Sequence, residues 1–216
     1  MEGISEAQSR AIIPQLIQAV RDNKQYLSDL DGAIGDGDHG INLNRGFGLW
    51  AEELARSPGD LAHSLGSLSK ILLASVGGAM GPLYGLIFRG LAKGCEQATF
   101  IDASVFARML TGAVQGVRSI SQAKVGDKTL MDVLLPAEEA YLGALREGRS
   151  FDQALEALCR AAESGREATR ELVARVGRAS RLGERSKGAL DAGAASCALI
   201  LTTMAGSIRG LLAQKA

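Results

Sequence analysis

Hydrophobic residues recur every three or four positions along nearly the whole chain, and no stretch alternates with period two long enough to make a strand. Ile13, Leu16, Ile17 and Val20 form one such stripe, Leu61, Leu65, Leu68 and Leu72 another, and Ala154, Leu155, Leu158, Ala161 and Ala162 a third. The pattern predicts eight helices, over about 4–30, 41–56, 60–76, 82–96, 102–122, 130–146, 150–178 and 192–213. Aromatic residues are only 4% of the 216, too few to suggest a sandwich or barrel of strands. No composition break reads as a linker and no segment repeats. The expectation is one all-α domain over 1–216.

Charge and cysteine usage narrow the class further. The 24 Lys and Arg cancel the 24 Asp and Glu, so no global field draws in nucleic acid or an anionic membrane. Two uncharged stretches, 71–88 and 192–208, are marginal for the ~20 residues of a membrane span and are expected as buried core helices. The opening Met-Glu-Gly-Ile-Ser-Glu has neither the basic nor the apolar part of a signal peptide. Cys95, Cys159 and Cys197 form no CxxC pair, which suits reduced thiols in the cytoplasm.

Glycine is the outlier, with 27 residues against the roughly 15 that ordinary usage would give. The surplus is concentrated in connections of one kind. Helices two and three, four and five, and six and seven are joined by short plain turns. The other four connections carry unusual chemistry: Asp31–Gly40, Gly77–Pro82, Lys124–Thr129 and Gly177–Gly193. Short connections make sequential helices antiparallel neighbours. In an eight-helix up-and-down barrel or bundle, every odd-to-even connection lies at the same end, so all four unusual loops are expected to meet there.

The first loop holds Asp29, Asp31, Asp36 and Asp38 among Gly32, Gly35, Gly37 and Gly40, with no basic residue to relieve the repulsion. Oxygen ligands alone indicate a hard cation, Mg²⁺ or Ca²⁺. An EF-hand fails on spacing: counted from Asp36, its sixth-position glycine is Ile41 and its final glutamate is Phe47. Mg²⁺ with a substrate phosphate is the better match. Gly35, Gly37 and Gly40 also fit GxGxxG, but no strand precedes them and two aspartates would face the pyrophosphate. Gly77, Gly78 and Gly81 precede a helix with Pro82 in its first turn, an arrangement that offers amide donors and a positive dipole end to phosphate. Thr129 and Asp132 make a capping-box-like start. Lys128 sits at the positive end of that helix, where an anionic ligand would offset the unfavourable dipole. The last loop carries Arg175, Arg178, Arg181, Arg185 and Lys187 against Glu184 alone. Aspartates with Mg²⁺ on one side and arginines on the other would bracket a polyphosphate.

Taken in series, four motifs resemble one known family. They are Gly35-Asp36-Gly37-Asp38-His39-Gly40-Ile41-Asn42, Val76 to Gly85, Gly126-Asp127-Lys128-Thr129, and Arg178 to Ser186. In order and spacing they resemble the L subunit of bacterial dihydroxyacetone kinase over essentially the whole chain. The resemblance implies an eight-helix up-and-down barrel with nucleotide at one end. It implies that Asp31, Asp36 and Asp38 hold two Mg²⁺ ions. It implies that His39, Gly40, Ile41, Asn42, Met80, Gly81, Gly126, Leu135, Arg178, Asp191 and Gly193 surround ADP.

In such systems, the resemblance implies, ADP stays bound as a coenzyme. An M-type phosphohistidine protein charges it from phosphoenolpyruvate, and a separate K-type subunit carries the dihydroxyacetone. The chain would then contribute nucleotide and metal but no catalytic side chain of its own, and a homodimer is left open. Met80 stands where the family usually has a small or hydroxylated residue, and Asp191-Ala192-Gly193-Ala194 replaces Asp-Pro-Gly-Ala. Two other functions remain in view: the nucleotide subunit of an ATP-dependent kinase for a related triose or tetrose, and a nucleotide-sensing regulatory module.

Overall fold

The computed structural model describes residues 2–214 and is predominantly helical. A short α1 (Glu6–Ser9) leads into α2 (Ile12–Asp22), α3 (Lys24–Ile34), α4 (His39–Arg56), α5 (Leu61–Ser75) and α6 (Met80–Gly94). Then come α7 (Ala103–Arg118), α8 (Met131–Arg146), α9 (Phe151–Ala168) and α10 (Ala192–Ala213). From α4 onward each helix packs on its neighbours in sequence, and α10 returns to α2 and α3 to close the ring. One continuous apolar core fills the interior, built around Trp50, Phe47, Phe88, Phe106 and Tyr141, all of them buried. The helix α10 is long and apolar enough to cross a membrane by composition, but more than half of it is buried against its neighbours.

Three boundaries differ from the periodicity, each for a local reason. The expected first helix, 4–30, is divided into three. The chain turns after Ser9 and again at Asn23, whose backbone leaves the helical region and whose side-chain amide donates to the Ala19 carbonyl. The expected helix 150–178 stops at Ala168. Thr169 Oγ1 donates back to Arg166 O, and a single 3-10 turn over Thr169–Glu171 follows. The fifth helix ends at Arg118 rather than 122, and Ser119 Oγ donates to Gly116 O. There is also a minimal antiparallel ribbon, β1 (Gly3–Ser5) with β2 (Phe100–Asp102), pairing Ile4 with Ile101. Three residues per strand are too few to show a period.

Helix starts are satisfied in different ways. At one end, α5, α7 and α9 are capped by the side chains of Asp60, Asp102 and Ser150. At the other end, Asp191 caps α10 and Asp31 Oδ2 takes the first amide of α4, while α6 begins at Ala79 with no side-chain cap, so its first amide groups adjoin the space between the loops.

Candidate functional site

That space is a cavity of about 260 Å³. Its walls come from all four unusual connections: Asp31 to His39, Gly77 to Met80, Ser121 to Met131, and Val176 to Ala179 together with Asp191 to Gly193. The up-and-down topology therefore delivers the convergence expected from connection lengths alone.

The aspartate loop is shaped by its glycines. Asp31 lies in the last turn of α3, and its backbone carbonyl is taken by Gly35 N–H. A Cβ on Gly35 would lie 2.3 Å from Asp31 Oδ1, so only glycine leaves that carboxylate in place. Gly37 takes φ +76 and turns the chain into α4. A Cβ on Gly40 would meet the Lys24 carbonyl at 2.0 Å, which seats the start of α4 directly on α3. Asp31, Asp36 and Asp38 each present a carboxylate oxygen within 4.8 Å of the others. Asp31 Oδ2 also accepts from His39 N–H at 3.3 Å. Asp29 is not part of this group, because its carboxylate accepts from Gln25 Nε2 at 2.8 Å. Three oxygen donors this close, with no nitrogen or sulfur among them, fit a hard divalent cation.

Across the cavity the arginine loop faces the aspartates, as its charge suggested. Arg178 pairs with Asp36, and Arg175 lies 3.9 Å from Asp127. Arg181 and Arg185 stand outside the cavity lining. Gly77 and Gly78 have nothing within 4 Å of where a Cβ would sit, leaving the approach to the α6 amides open. Of the residues expected around the nucleotide, His39, Asn42, Met80, Arg178, Asp191 and Gly193 line the cavity. Gly40, Ile41, Gly81, Gly126 and Leu135 do not. Gly81 is packed on the Val76 carbonyl, Ile41 is exposed, and Leu135 is packed against the core one turn below Met131.

Lys128 has a different place from the one its helix position suggested. Its chain is buried at φ +62, and its ammonium group donates to the carbonyls of Thr169 (2.6 Å), Leu172 (3.1 Å) and Ala189 (2.6 Å). Those three acceptors supply the compensation that an anionic ligand was expected to give. Lys128 thus ties the last loop to the barrel. Asp132 caps the same turn, accepting from Gly126 N–H (2.6 Å) and Thr129 N–H (2.7 Å), while Thr129 Oγ1 accepts from Met131 N–H (3.1 Å).

A buried polar relay went unseen in the sequence. His39 Nε2 meets Ser196 Oγ at 2.7 Å, Ser196 Oγ meets Tyr84 Oη at 2.6 Å, and Tyr84 Oη donates to Gly193 O at 3.1 Å. Tyr84 and Ser196 lie inside apolar stretches, and only the return of α10 to the start of the barrel brings Ser196 to His39 and Tyr84.

Burial lowers the pKa of His39 to about 4, so the imidazole is neutral at pH 7. Asp191 is pushed up to about 7, first by burial and then by the nearby Asp132 and Asp31, against its hydrogen bond from Ala194 N–H and the Lys128 charge. The two shifts act oppositely on stability. The unfolded chain binds the extra proton at His39, so its contribution is present above the unfolded value and is lost as pH falls toward 4. The folded chain binds the extra proton at Asp191, so its contribution is present at low pH and is lost as pH rises toward 7. Relative to the unsubstituted protein, His39→Gln should therefore gain stability on going from pH 7 to pH 4. Asp191→Asn should lose it over the same interval. Urea melts at several pH values read both slopes, and parallel curves for all three proteins would refute the assignment.

Comparison with known proteins agrees with this architecture. Residues 33–206 match the family model described as the DAK2 domain. The chain is 40% identical over 182 residues to the ADP-binding subunit DhaL of the PEP-dependent dihydroxyacetone kinase of Escherichia coli K12. That match covers 84% of this chain and 87% of the relative. A Listeria innocua subunit of the same name is 38% identical over 87% of this chain and 89% of its own length. The D-erythrulose kinase of Mycolicibacterium smegmatis is 32% identical over 88% of this chain, which corresponds to 33% of that longer protein. In structure, the native dihydroxyacetone kinase of C. freundii superposes with a TM-score of 0.71 at 23% identity. The superposition covers 96% of this chain and about a third of that one. By loop chemistry, barrel and sequence together, the chain belongs to the DAK2-domain family, beside the DhaL-type subunits of dihydroxyacetone kinase.

Proposed function

We propose that this chain is the ADP- and Mg²⁺-binding subunit of a phosphoenolpyruvate-dependent dihydroxyacetone kinase, acting in the cytoplasm as one nucleotide-binding domain. The observation that carries the reading is the asymmetry of the barrel ends. Uncapped amides at the start of α6, three clustered aspartates and Arg178 converge on one cavity, while α5, α7 and α9, which start at the other end, are capped by Asp60, Asp102 and Ser150. Asp31, Asp36 and Asp38 would hold two Mg²⁺ ions, and the amides at the start of α6 together with Arg178 would hold phosphate. Met80, Leu83, Val117 and Leu130 offer an apolar wall to the rest of the nucleotide. When bound, ADP would supply the phosphoryl-accepting group, and Mg²⁺ held by the aspartates would neutralise the charge of transfer.

The chain's own work is positioning. Gly35 and Gly40 fix the aspartates, Lys128 fixes the loop that bears Arg178, and the His39–Ser196–Tyr84 relay fixes the floor. The relatives of matching length are named as subunits, which supports a division of labour with a K-type subunit carrying the triose and an M-type phosphohistidine protein. Among the described residues, five of the six large exposed apolar ones, Ile41, Leu73, Ile120, Val125 and Val176, stand at this end, where such partners would dock.

Reconstitution tests the reading. The chain with K-type and M-type proteins, phosphoenolpyruvate and dihydroxyacetone should form triose phosphate, and omission of any one protein should stop it. Equal turnover with ATP and the K-type protein alone would favour the ATP-dependent kinase instead.

A further inference from the structure

A net charge of zero conceals a strong segregation. The helices α5, α6 and α7 carry Lys70, Arg89, Lys93, Arg108 and Arg118 and not one Asp or Glu. Elsewhere on the surface acids stand beside bases, as in Arg10–Glu6, Arg56–Glu52, Arg160–Glu156 and Arg209–Asp152. Among the described residues, Arg89, Lys93 and Arg108 make no ion pair, and all three are exposed. Nothing in helix formation or in the core calls for this, since internal pairs would hold exposed helices equally well.

The same three side chains rim a groove along the seam of α6 and α7. The seam is unusually close. A Cβ on Gly90 would meet the Gly112 carbonyl at 2.1 Å, one on Gly94 would meet Met109 Cα at 2.3 Å, and one on Gly116 would meet the Leu86 carbonyl at 2.6 Å. Backbones in contact leave no side chains to cover the seam, so a trough remains between the outward rows of the two helices. Arg89 and Lys93 are one turn apart on α6, and Arg108, Thr111 and Gln115 form the facing row on α7. Among the described residues no carboxylate lines the trough, and it lies on the side of the barrel, not among the residues of the nucleotide cavity.

We propose that this trough is a docking surface for an acidic helix of a partner protein. The shape favours a rod over a compact ion, since the cations are spread along two helix rows and do not converge on one point. Charge complementarity names the occupant: carboxylates spaced one turn apart on a partner helix would meet Arg89 and Lys93 on one side and Arg108 on the other. Glycine in the floor lets that helix settle close to the barrel. Nothing in the trough depends on metal or nucleotide, so a partner held here would leave the cavity mouth free.

The test uses the whole chain and a defined probe, a fluorescein-labelled helix-forming peptide of about 20 residues with glutamates one turn apart. At low ionic strength it should bind saturably by fluorescence anisotropy and weaken steeply with added salt. Arg89→Glu, Lys93→Glu and Arg108→Glu combined should weaken it at least tenfold, roughly the scale expected of three lost charge contacts. Arg149→Glu with Arg160→Glu should leave it unchanged. Amide shift mapping on the unsubstituted protein gives an independent answer if the triple variant misfolds, with changes expected along α6 and α7. Absence of saturable binding, shifts elsewhere on the barrel, or tighter binding of a single-stranded RNA of equal charge at this face would each overturn the proposal. ADP binding is measured in parallel and should be untouched.

Discussion

Asp36→Asn and Asp38→Asn should each weaken Mg²⁺-dependent ADP binding by about 100-fold or more, while circular dichroism remains native. Each change removes one anionic ligand and keeps the shape of the side chain. Loss of one outer-sphere support around a metal already weakens binding by about 10- to 100-fold, and a direct ligand should weaken it at least as much. Folding should not suffer, because the three carboxylates lie within 4.8 Å of one another and repel when no cation is bound. Melting temperature without ligand should hold or rise for Asp38→Asn. Asp36→Asn also releases Arg178 from its ion pair, an exposed contact whose loss costs little. Equilibrium dialysis with labelled ADP reads the effect. Wild-type stoichiometry and affinity in both variants would remove these aspartates from the ligand set.

Lys128→Met should be the most destabilising single substitution at the site. The methionine keeps the length of the chain but leaves three carbonyls, of Thr169, Leu172 and Ala189, without the donor they share. A buried polar group left without a partner costs about 1–3 kcal/mol, so losing a donor shared by three carbonyls should cost about 3–5 kcal/mol, and in a chain of this size that lowers the melting temperature by roughly 10 °C. The loop it holds carries Arg178 at one point and leads into Asp191, so ADP affinity should fall with stability. A variant that melts as the unsubstituted protein does would mean that the loop is held by other contacts. Scanning calorimetry decides.

The sequence was most informative where one residue type or one period carried the signal. Helical periodicity and connection length together required a single end at which all four unusual loops meet, and the cavity is lined by those loops. The aspartates stood out because four acids among glycines have few structural uses, and only Asp29, held by Gln25, stands apart from the cluster. What escaped was whatever depends on closure of the ring. Lys128 finds its acceptors 41 to 61 residues away, and backbone carbonyls leave no mark on a sequence. Tyr84, Ser196 and His39 are ordinary residues until α10 returns to the start. The break at Asn23 is a single residue inside a continuous apolar stripe, and the ribbon of β1 and β2 is shorter than any periodic test. The basic face of α5–α7 was readable by counting charges helix by helix, and the balanced total obscured it.

The central claim is that this end of the barrel holds ADP through Mg²⁺, tightly enough for a coenzyme. Nucleotide content after gel filtration tests it most directly, with the protein passed through Mg²⁺ buffer and, in parallel, through EDTA. A ligand at a thousandfold excess over its Kd stabilises the native state by about 4 kcal/mol, so the melting temperature reports the same event. The expected result is ADP retained at one per chain with Mg²⁺, lost with EDTA, and a clear fall in melting temperature on loss. Protein that emerges empty from Mg²⁺ buffer, or that holds ADP equally well in EDTA, would contradict the account.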